Sequence, residues 1–320
     1  MDTRRLVKDS VHVVVLLALV FVLLFVLTWT STMKCGFIPG WCDVYYGILG
    51  KPRVAIVYGE SGLGEPEMLQ REMAKPTGIG VRPVLLNVDY VNPGNLKQYD
   101  LVIVEKARKM STEKVKMFID YANFGGNLVW TGDAAAELVE EKNQLYEDEK
   151  SRDENAPHSP LGPWARKLDN KMVLLDELLG VEYLGNYCSM RNCAASGETC
   201  AGLLNPVSND NPLVYGFGSG MSFCVSGDRD FSIVKPIATG TSTIVMTVDF
   251  QGNFIAGGEN YGNNLPLIMT NAKSRLFGLG IGQNVVYYAL PPEYFVNEKI
   301  APEHRYVSLL ENTYLAVIYG

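Results

Sequence analysis

The chain has 320 residues and a formal net charge of −7, with 47% hydrophobic and 20% charged residues. These proportions are ordinary for a globular protein. The negative charge and the lack of a Lys/Arg cluster in the sequence argue against nucleic acid as a partner, because phosphates would be repelled. The length that follows an apolar N-terminal run suffices for one large domain or two modest ones.

The N-terminal apolar run, Val11–Trp29, contains no charged residue. At 1.5 Å per residue a helix of this length spans roughly 28 Å, close to the ~30 Å hydrocarbon core of a bilayer. Trp29 stands at its end, where interfacial aromatic residues are common. We therefore predict a single transmembrane helix over 11–29, preceded by a short tail, residues 1–10.

The charges that flank this run predict its orientation. Arg4, Arg5 and Lys8 precede it, whereas Lys34 is the one basic residue soon after it. This bias predicts a cytoplasmic N-terminus and an extracytoplasmic remainder, as in a single-pass protein of the cell membrane. A cleaved signal peptide is the alternative, but its apolar run is shorter and ends in a small-x-small site, which residues 30–34 lack. Either reading exports the rest of the chain.

The cysteines all follow this run, at Cys35, Cys42, Cys188, Cys193, Cys200 and Cys224. An even number in an exported segment favours disulfides. A zinc site with four thiolates is the alternative, but such sites usually contain two close pairs, and Cys200 and Cys224 have no near partner. We expect Cys35 and Cys42 to close a small loop in the juxtamembrane segment, residues 30–51, and the other four to crosslink one region.

The next part of the chain alternates short apolar runs with helical patterns. The predicted strands are 53–58, 81–88, 100–104 and 127–131. The predicted helices are 66–73 and a longer helix that begins after Ser111, a good N-cap, and ends at Gly125-Gly126. Strands that are apolar throughout and alternate with helices predict a parallel sheet with helices on both faces.

The second half of the chain has a different pattern. An acidic stretch over 137–164 is expected to form a solvated helix that runs into an exposed loop, and 170–179 is expected to be a helix. Short β-like runs follow, and a last helix is predicted over 305–319. The β-like runs are 213–217, 221–226, 232–238, 242–250, 253–256, 266–270 and 284–290. We expect a β-rich insertion that contains cysteines, at about 185–262.

Two carboxylates stand where a parallel sheet places its ligands, at the carboxyl ends of strands. Glu60 lies in the loop after the first strand, and Asp133 follows the fourth. Each could be a metal ligand or a general base. The alternatives are a tight turn that positions a helix for the Glu60 loop, and a helix N-cap for Asp133. We favour these structural roles.

The strand at 100–104, the helix after it and the segment Asn123–Asp133, which reads Asn-Phe-Gly-Gly-Asn-Leu-Val-Trp-Thr-Gly-Asp, resemble the class I glutamine amidotransferase-like superfamily. The likeness is greater to its non-amidotransferase members, the domains of gliding-associated and intraflagellar-transport proteins. Residues 282–293 are similar to the closing strand of that family. The resemblance covers roughly 52–134 and 264–320 and implies a flavodoxin-like α/β domain over 52–320.

The catalytic residues of that superfamily do not match. Its amidotransferases carry a Cys nucleophile in the turn after such a strand, with His and Glu later. Here Gly132, Asp133 and Ala134 occupy the turn, and nothing in the sequence nominates a partner for His158 or His304. A Cys-His or Ser-His pair needs hydrogen-bond contact between its members. The resemblance therefore implies a non-catalytic branch.

The sequence thus favours a membrane-anchored extracytoplasmic domain that binds a protein or a ligand, such as a subunit of an envelope or transport assembly. The expected partners are the lipid bilayer and a protein of the membrane or envelope, and no cofactor is expected. One alternative is an extracytoplasmic hydrolase that uses a carboxylate or metal at Glu60 and Asp133. A structural envelope protein is the other.

Overall fold

A computed structural model describes the chain over residues 3–29, 33, 35, 38–75, 79–139, 162–168, 171–191, 193, 199–218, 220–225, 229–237, 242–250, 252–256, 258–271, 285–296, 306 and 308–319. Residues 140–161 of the predicted acidic stretch and loop, His158 among them, and His304 lie outside these residues. The described helices are α1 (Thr3–Trp29), α2 (Trp41–Leu49), α3 (Pro66–Ala74), α4 (Pro93–Leu96), α5 (Thr112–Asn123), α6 (Leu175–Leu179), α7 (Tyr187–Arg191), α8 (Glu293–Val296) and α9 (Leu309–Ile318).

The described strands are β1 (Val54–Tyr58), β2 (Val84–Asn87), β3 (Leu101–Glu105), β4 (Lys109–Met110), β5 (Asn127–Thr131), β6 (Glu137–Leu138), β7 (Ala165–Leu168), β8 (Lys171–Leu174), β9 (Val181–Asn186), β10 (Thr199–Pro206), β11 (Met221–Val225), β12 (Ser232–Pro236), β13 (Ser242–Phe250), β14 (Ile255–Ala256), β15 (Glu259–Asn260), β16 (Asn264–Asn271) and β17 (Val285–Tyr288).

Most of these strands join one mixed sheet, in the order β11-β10-β13-β16-β17-β5-β3-β1-β2. The half from β17 to β2 is parallel, and the pairs from β11 to β17 are antiparallel. Counted along the chain, the five parallel strands lie in the order 2-1-3-4-5. The sheet therefore differs from the wholly parallel sheet that we predicted, because the β-rich part adds an antiparallel half to it.

The parallel strands are apolar on both faces because helices and loops cover both. Val54–Val57 of β1 and all of β3 are buried, and Ile56 lies opposite Ile103 in the register. Such continuous apolar runs are typical of parallel strands in α/β proteins. The sequence located β1, β3 and β5 correctly for this reason, whereas β2 is shorter than the predicted 81–88.

Helix α5 follows the predicted pattern closely. Ser111 caps it, since its Oγ accepts the backbone N–H of Lys114 at 3.4 Å. Val115 and Phe118 are fully buried, and the Phe118 ring lies edge-on to Trp130 of β5 at 5.6 Å between centroids. The aromatic contact fixes α5 against the centre of the sheet.

Other predicted elements are wrong in part. Residues 171–174 are not helical but form β8, which pairs with β7 so that Val173 lies opposite Arg166, and the helix covers only Leu175–Leu179. The buried guanidinium of Arg166 donates to the carbonyl of Met110 at 2.7 Å and so joins this strand pair to β4. The predicted strand 213–217 is a short 3-10 turn at Pro212–Val214. Strands β9 and β10 were not predicted.

The structure contains the predicted disulfide Cys35–Cys42 and a second disulfide, Cys188–Cys193. Cys224 is also disulfide-bonded, and Cys200 is its register partner across β10 and β11. Disulfides are typical of oxidising compartments.

Among the described residues, one helix is long and apolar enough to cross a membrane, over Val11–Trp29. Its side chains are almost wholly exposed, so it is not a core helix. A signal sequence would meet the same test of length and composition.

The junction of β10 and β13 gives a test of the mixed sheet. A Cβ at Gly202 would overlap the backbone carbonyl of Asp249, which cannot move without disturbing the ladder. We expect Gly202→Ala to lower the free energy of unfolding by about 1–3 kcal/mol. Gly218→Ala is the control, since nothing lies within 4 Å of the position that a Cβ would take there. Equal thermal midpoints for the two variants would contradict the β10–β13 pairing.

Candidate functional site

The loops that follow the parallel strands are joined at the carboxyl edge of the sheet. The loop after β1 lies directly on the segment after β3: Lys106 N–H donates to the Leu63 carbonyl at 2.8 Å, and Arg108 N–H to the Ser61 carbonyl at 2.8 Å. The turn after β5 joins them through Ala135 N–H, which donates to the Ala107 carbonyl at 2.8 Å. Ligands bind at this edge in open α/β sheets, but here the backbone closes it.

The carboxylate of Asp133 is the polar centre of this edge and is only 1% exposed. Its Oδ1 accepts the backbone N–H of Leu63 at 2.8 Å, and its Oδ2 accepts the amide of Asn186 at 2.9 Å. Arg108 Nη1 lies 3.6 Å from Oδ2. Asp133 thus binds the loop after β1, the segment after β3 and the end of β9.

The network continues from Asn186 into the buried interior. The Asn186 Oδ1 accepts hydrogen bonds from the Tyr183 hydroxyl at 3.0 Å and from Ser232 Oγ at 3.1 Å. On the outer side, Arg108 Nε lies 2.7 Å from Glu137 Oε1. Both oxygens of Asp133 therefore accept a hydrogen bond from another protein group, which is the arrangement that offsets the burial of a charge.

The turn that carries Asp133 is covered from outside. Trp164, 1% exposed, donates its indole N–H to the Ala134 carbonyl at 2.9 Å, and Trp130 donates to the same oxygen at 3.1 Å. Residues 132–135 form a turn and not the start of a helix, so the predicted N-cap role of Asp133 is wrong. Ala135 has a positive φ of 58°, which carries the chain away from the helical direction.

A second acidic site, a pair of glutamates, lies at the same edge and was not predicted from the sequence. Glu105, the last residue of β3, and Glu293, the first of α8, are both fully buried. Glu293 Oε1 accepts the backbone N–H of Glu65 at 2.7 Å. Both oxygens of Glu105 and the second oxygen of Glu293 have no hydrogen-bond partner among the described residues.

Burial sets the protonation of this pair. Burial, and then the charge of Glu293, raise the pKa of Glu105 well above its ordinary value. Burial raises the pKa of Glu293 to about 7. Two buried carboxyl groups that repel each other cannot both be charged at low cost, so one proton or more stays on the pair near neutral pH.

The two candidate catalytic carboxylates are not brought together. Glu60 is exposed on the loop after β1, whereas Asp133 is enclosed beneath that loop. Gly62 has a φ of 119°, and its Cβ position lies 2.9 Å from Asp133 Oδ1, so the backbone itself fills the approach to the carboxylate. Among the described residues, no group of three or more His, Cys, Asp or Glu is placed to hold a metal ion.

An open space lies at the opposite edge of the sheet. This basal cleft, of about 720 Å³, lies between the end of α1, helix α2, the amino ends of β1, β3 and β5, and the end of α5. Its lining includes Trp29, Tyr46, Arg53, Asp100, Tyr121 and Phe124. Phe124 is 82% exposed at the rim of this cleft.

No family model matches the chain, and no curated protein sequence matches it. Among solved structures, a ThuA-like protein from Bacteroides uniformis is 15% identical, with 84% of this chain and 92% of that chain covered and a TM-score of 0.47. A ThuA-like protein from Parabacteroides merdae is also 15% identical, with 83% and 90% covered and a TM-score of 0.40.

A β-galactosidase from Rahnella sp. R3 is 15% identical, with 86% of this chain covered and a TM-score of 0.45. The chain spans 32% of that enzyme's length. These identities and scores are too low to carry an inference about activity or substrate.

The Asp133 network predicts that replacing Asp133 lowers the free energy of unfolding far more than replacing Glu60 does. Asp133→Ala removes the acceptor of the Leu63 N–H and the Asn186 amide and leaves both buried, so we expect a loss of about 2–4 kcal/mol in the free energy of unfolding. Glu60→Ala, at an exposed position, should change it by less than about 0.5 kcal/mol. Chemical denaturation of both variants measures this, and a stable Asp133→Ala would contradict the network.

The carboxyl pair predicts that stability falls as pH rises. Folded Glu293 binds its proton up to about pH 7, whereas an unfolded glutamate releases it near 4.5. The folded chain therefore holds more protons in this window, and stability is greatest below it. The shift corresponds to a loss on the order of 3 kcal/mol by neutral pH.

The measurement is the thermal midpoint at about pH 5 and about pH 8. The glutamine side chain in the Glu105→Gln variant cannot ionise, so the thermal midpoint of this variant should fall less between the two pH values. The midpoint of the Glu60→Gln variant should fall as much as that of the unaltered chain. An identical decline in Glu105→Gln and the unaltered chain would show that the pair is not protonated in the folded state.

Proposed function

We propose that the chain is a membrane-anchored, extracytoplasmic, non-catalytic domain that binds a protein partner or ligand at its basal cleft. The observation that carries the proposal is the closed carboxyl edge of the sheet. Each oxygen of Asp133 is occupied by a donor of the protein, and the backbone at Gly62 covers it. A catalytic carboxylate needs contact with a substrate or with the water it activates.

The strand order supports the flavodoxin-like part of this proposal. The parallel half has the order 2-1-3-4-5, which is that of flavodoxin-like doubly wound sheets. Together with the Asn123–Asp133 pattern, it supports kinship with the class I glutamine amidotransferase-like superfamily. Gly132, Asp133 and Ala134, where its amidotransferases carry the nucleophile, support the non-catalytic branch.

The packing at the end of α1 supports a retained anchor over a cleaved signal peptide. Trp41 and Tyr45 of α2 are buried against this end, beside Leu24 and Phe25. Trp41 Nε1 donates to Thr28 Oγ1 at 2.9 Å. Cleavage before Cys35 would expose these two aromatic side chains of the folded domain to water, so the fold depends on the segment that a signal peptidase would remove.

The side of the membrane is supported by the cysteines and the charge bias. The disulfides Cys35–Cys42 and Cys188–Cys193 suit an oxidising compartment. Arg4, Arg5 and Lys8 favour a cytoplasmic N-terminus. Both criteria favour a position of the α/β domain outside the cytoplasm.

Crosslinking in the native membrane tests the binding role. A photoreactive amino acid replaces Phe124, at the rim of the basal cleft, in the full chain. The matched position is Tyr215, which is 73% exposed but does not line the cleft. We expect one dominant crosslinked species from position 124 that is missing from position 215. The same products from both positions, or none from either, would refute a partner site at the cleft.

Hydrolase assays of the purified full chain test the non-catalytic part. We expect no hydrolysis that depends on Asp133. Any turnover of ester, amide or glycoside substrates should be the same in the Asp133→Asn variant. An activity that disappears in a folded Asp133→Asn variant and survives in Glu60→Gln would establish the alternative, a carboxylate-dependent hydrolase.

A further inference from the structure

Helix α2 packs against the end of α1. The Trp41 ring meets Phe21 edge-on, with 5.3 Å between centroids, and the Tyr45 ring contacts Phe25 at 5.4 Å. The hydrogen bond from Trp41 to Thr28 completes this contact. The first turns of α2 therefore lie beside residues 21–28 of α1, and not beyond its end.

The connection between the two helices is short and crosslinked. The backbone N–H of Met33 donates to the Leu27 carbonyl at 3.1 Å, and Trp41 N–H donates to the Ile38 carbonyl at 3.0 Å. The disulfide joins Cys35 in the turn to Cys42 in α2. These contacts hold α2 beside α1, so α2 cannot swing away from α1 without breaking them.

The length of α1 sets the depth of α2. If the hydrocarbon core ended at Phe21, the span from Val11 would be about 16 Å, roughly half of what a bilayer requires. The span cannot extend in the other direction, because Lys8 and Asp9 precede it. A span that reaches Trp29 has the required length. Residues 21–28, and whatever packs on them, then lie at the level of lipid.

One exposed face of α2 is apolar. Val44 is 44% and Ile48 is 57% exposed, one helical turn apart, with Gly47 between them. Val26 and Trp29, near the end of α1, are exposed apolar residues as well. Asp43, exposed in the first turn, is the charged residue of the helix. Because a carboxylate is costly deeper in the bilayer, Asp43 limits α2 to the boundary between headgroups and acyl chains.

We propose that α2 is an interfacial helix whose face at Val44 and Ile48 contacts the acyl chains of the leaflet on the domain's side. The chain then holds the membrane by two helices, and the basal cleft, which Trp29 and Leu49 line, opens at the level of the headgroups. This inference rests on the membrane anchor proposed above.

Quenching by brominated lipid tests it in the full chain. A fluorescent non-natural amino acid is placed at one position at a time, so the disulfides stay intact, and the protein is reconstituted into phosphatidylcholine vesicles with brominated acyl chains. The positions are 48 in α2, 17 in the middle of α1, and 215, an exposed position of the domain that does not line the basal cleft. Near-ultraviolet circular dichroism confirms that each variant is folded.

We expect a loss of fluorescence at position 48 comparable to that at position 17, with none at position 215. Quenching at 17 without quenching at 48 would overturn the inference and leave the anchor intact. The lack of quenching at 17 would overturn the anchor and the inference together. Quenching at 215 equal to that at 48 would show contact with the bilayer that is not specific to α2, and would also overturn it.

Discussion

The carboxyl edge of the sheet depends on the contacts that the buried carboxylate of Asp133 makes. This carboxylate joins three segments that are distant in sequence: the loop at Leu63, the residue Arg108 after β3, and Asn186 at the end of β9. A charge out of water is stabilised only when donors replace the water it loses. These segments supply such donors, so the position of each depends on the other two, and the edge closes as a unit.

The two buried acidic sites at this edge are stabilised in different ways. Asp133 is surrounded by N–H donors and an arginine, whereas Glu105 and Glu293 have each other and a single backbone N–H from Glu65. The pair is tolerated because it retains a proton, which removes the repulsion between the two groups. A sheet edge that in many α/β proteins receives a ligand is thus filled by the protein's own polar groups.

The parallel half of the fold could be read from the sequence because its signals are local. The apolar runs of β1, β3 and β5, and the Ser111 cap of α5, lie within a few residues of the structures they specify. The antiparallel extension and the β7–β8 pair could not, since they depend on contacts between residues distant in sequence. Examples are the register pair Leu204–Val248 and the hydrogen bond from Arg166 to the carbonyl of Met110. Glu105 and Glu293 were missed for the same reason: each lies next to an apolar segment, and only the folded sheet brings them together. Asp133 was found as a residue after a strand, but its role depends on Asn186, to which the sequence offers no link.

The connection between α2 and β1 has a mechanical consequence. Only Gly50, Lys51 and Pro52 lie between the end of α2 and the residue that precedes β1. An extended linker of that length reaches about 10 Å, and α2 itself is packed against α1 through Trp41 and Tyr45. A domain on so short a tether samples a thin layer next to its base and little else. Under the membrane anchor proposed above, that layer is the surface of the bilayer, and the proposed partner would be one that diffuses in the same membrane.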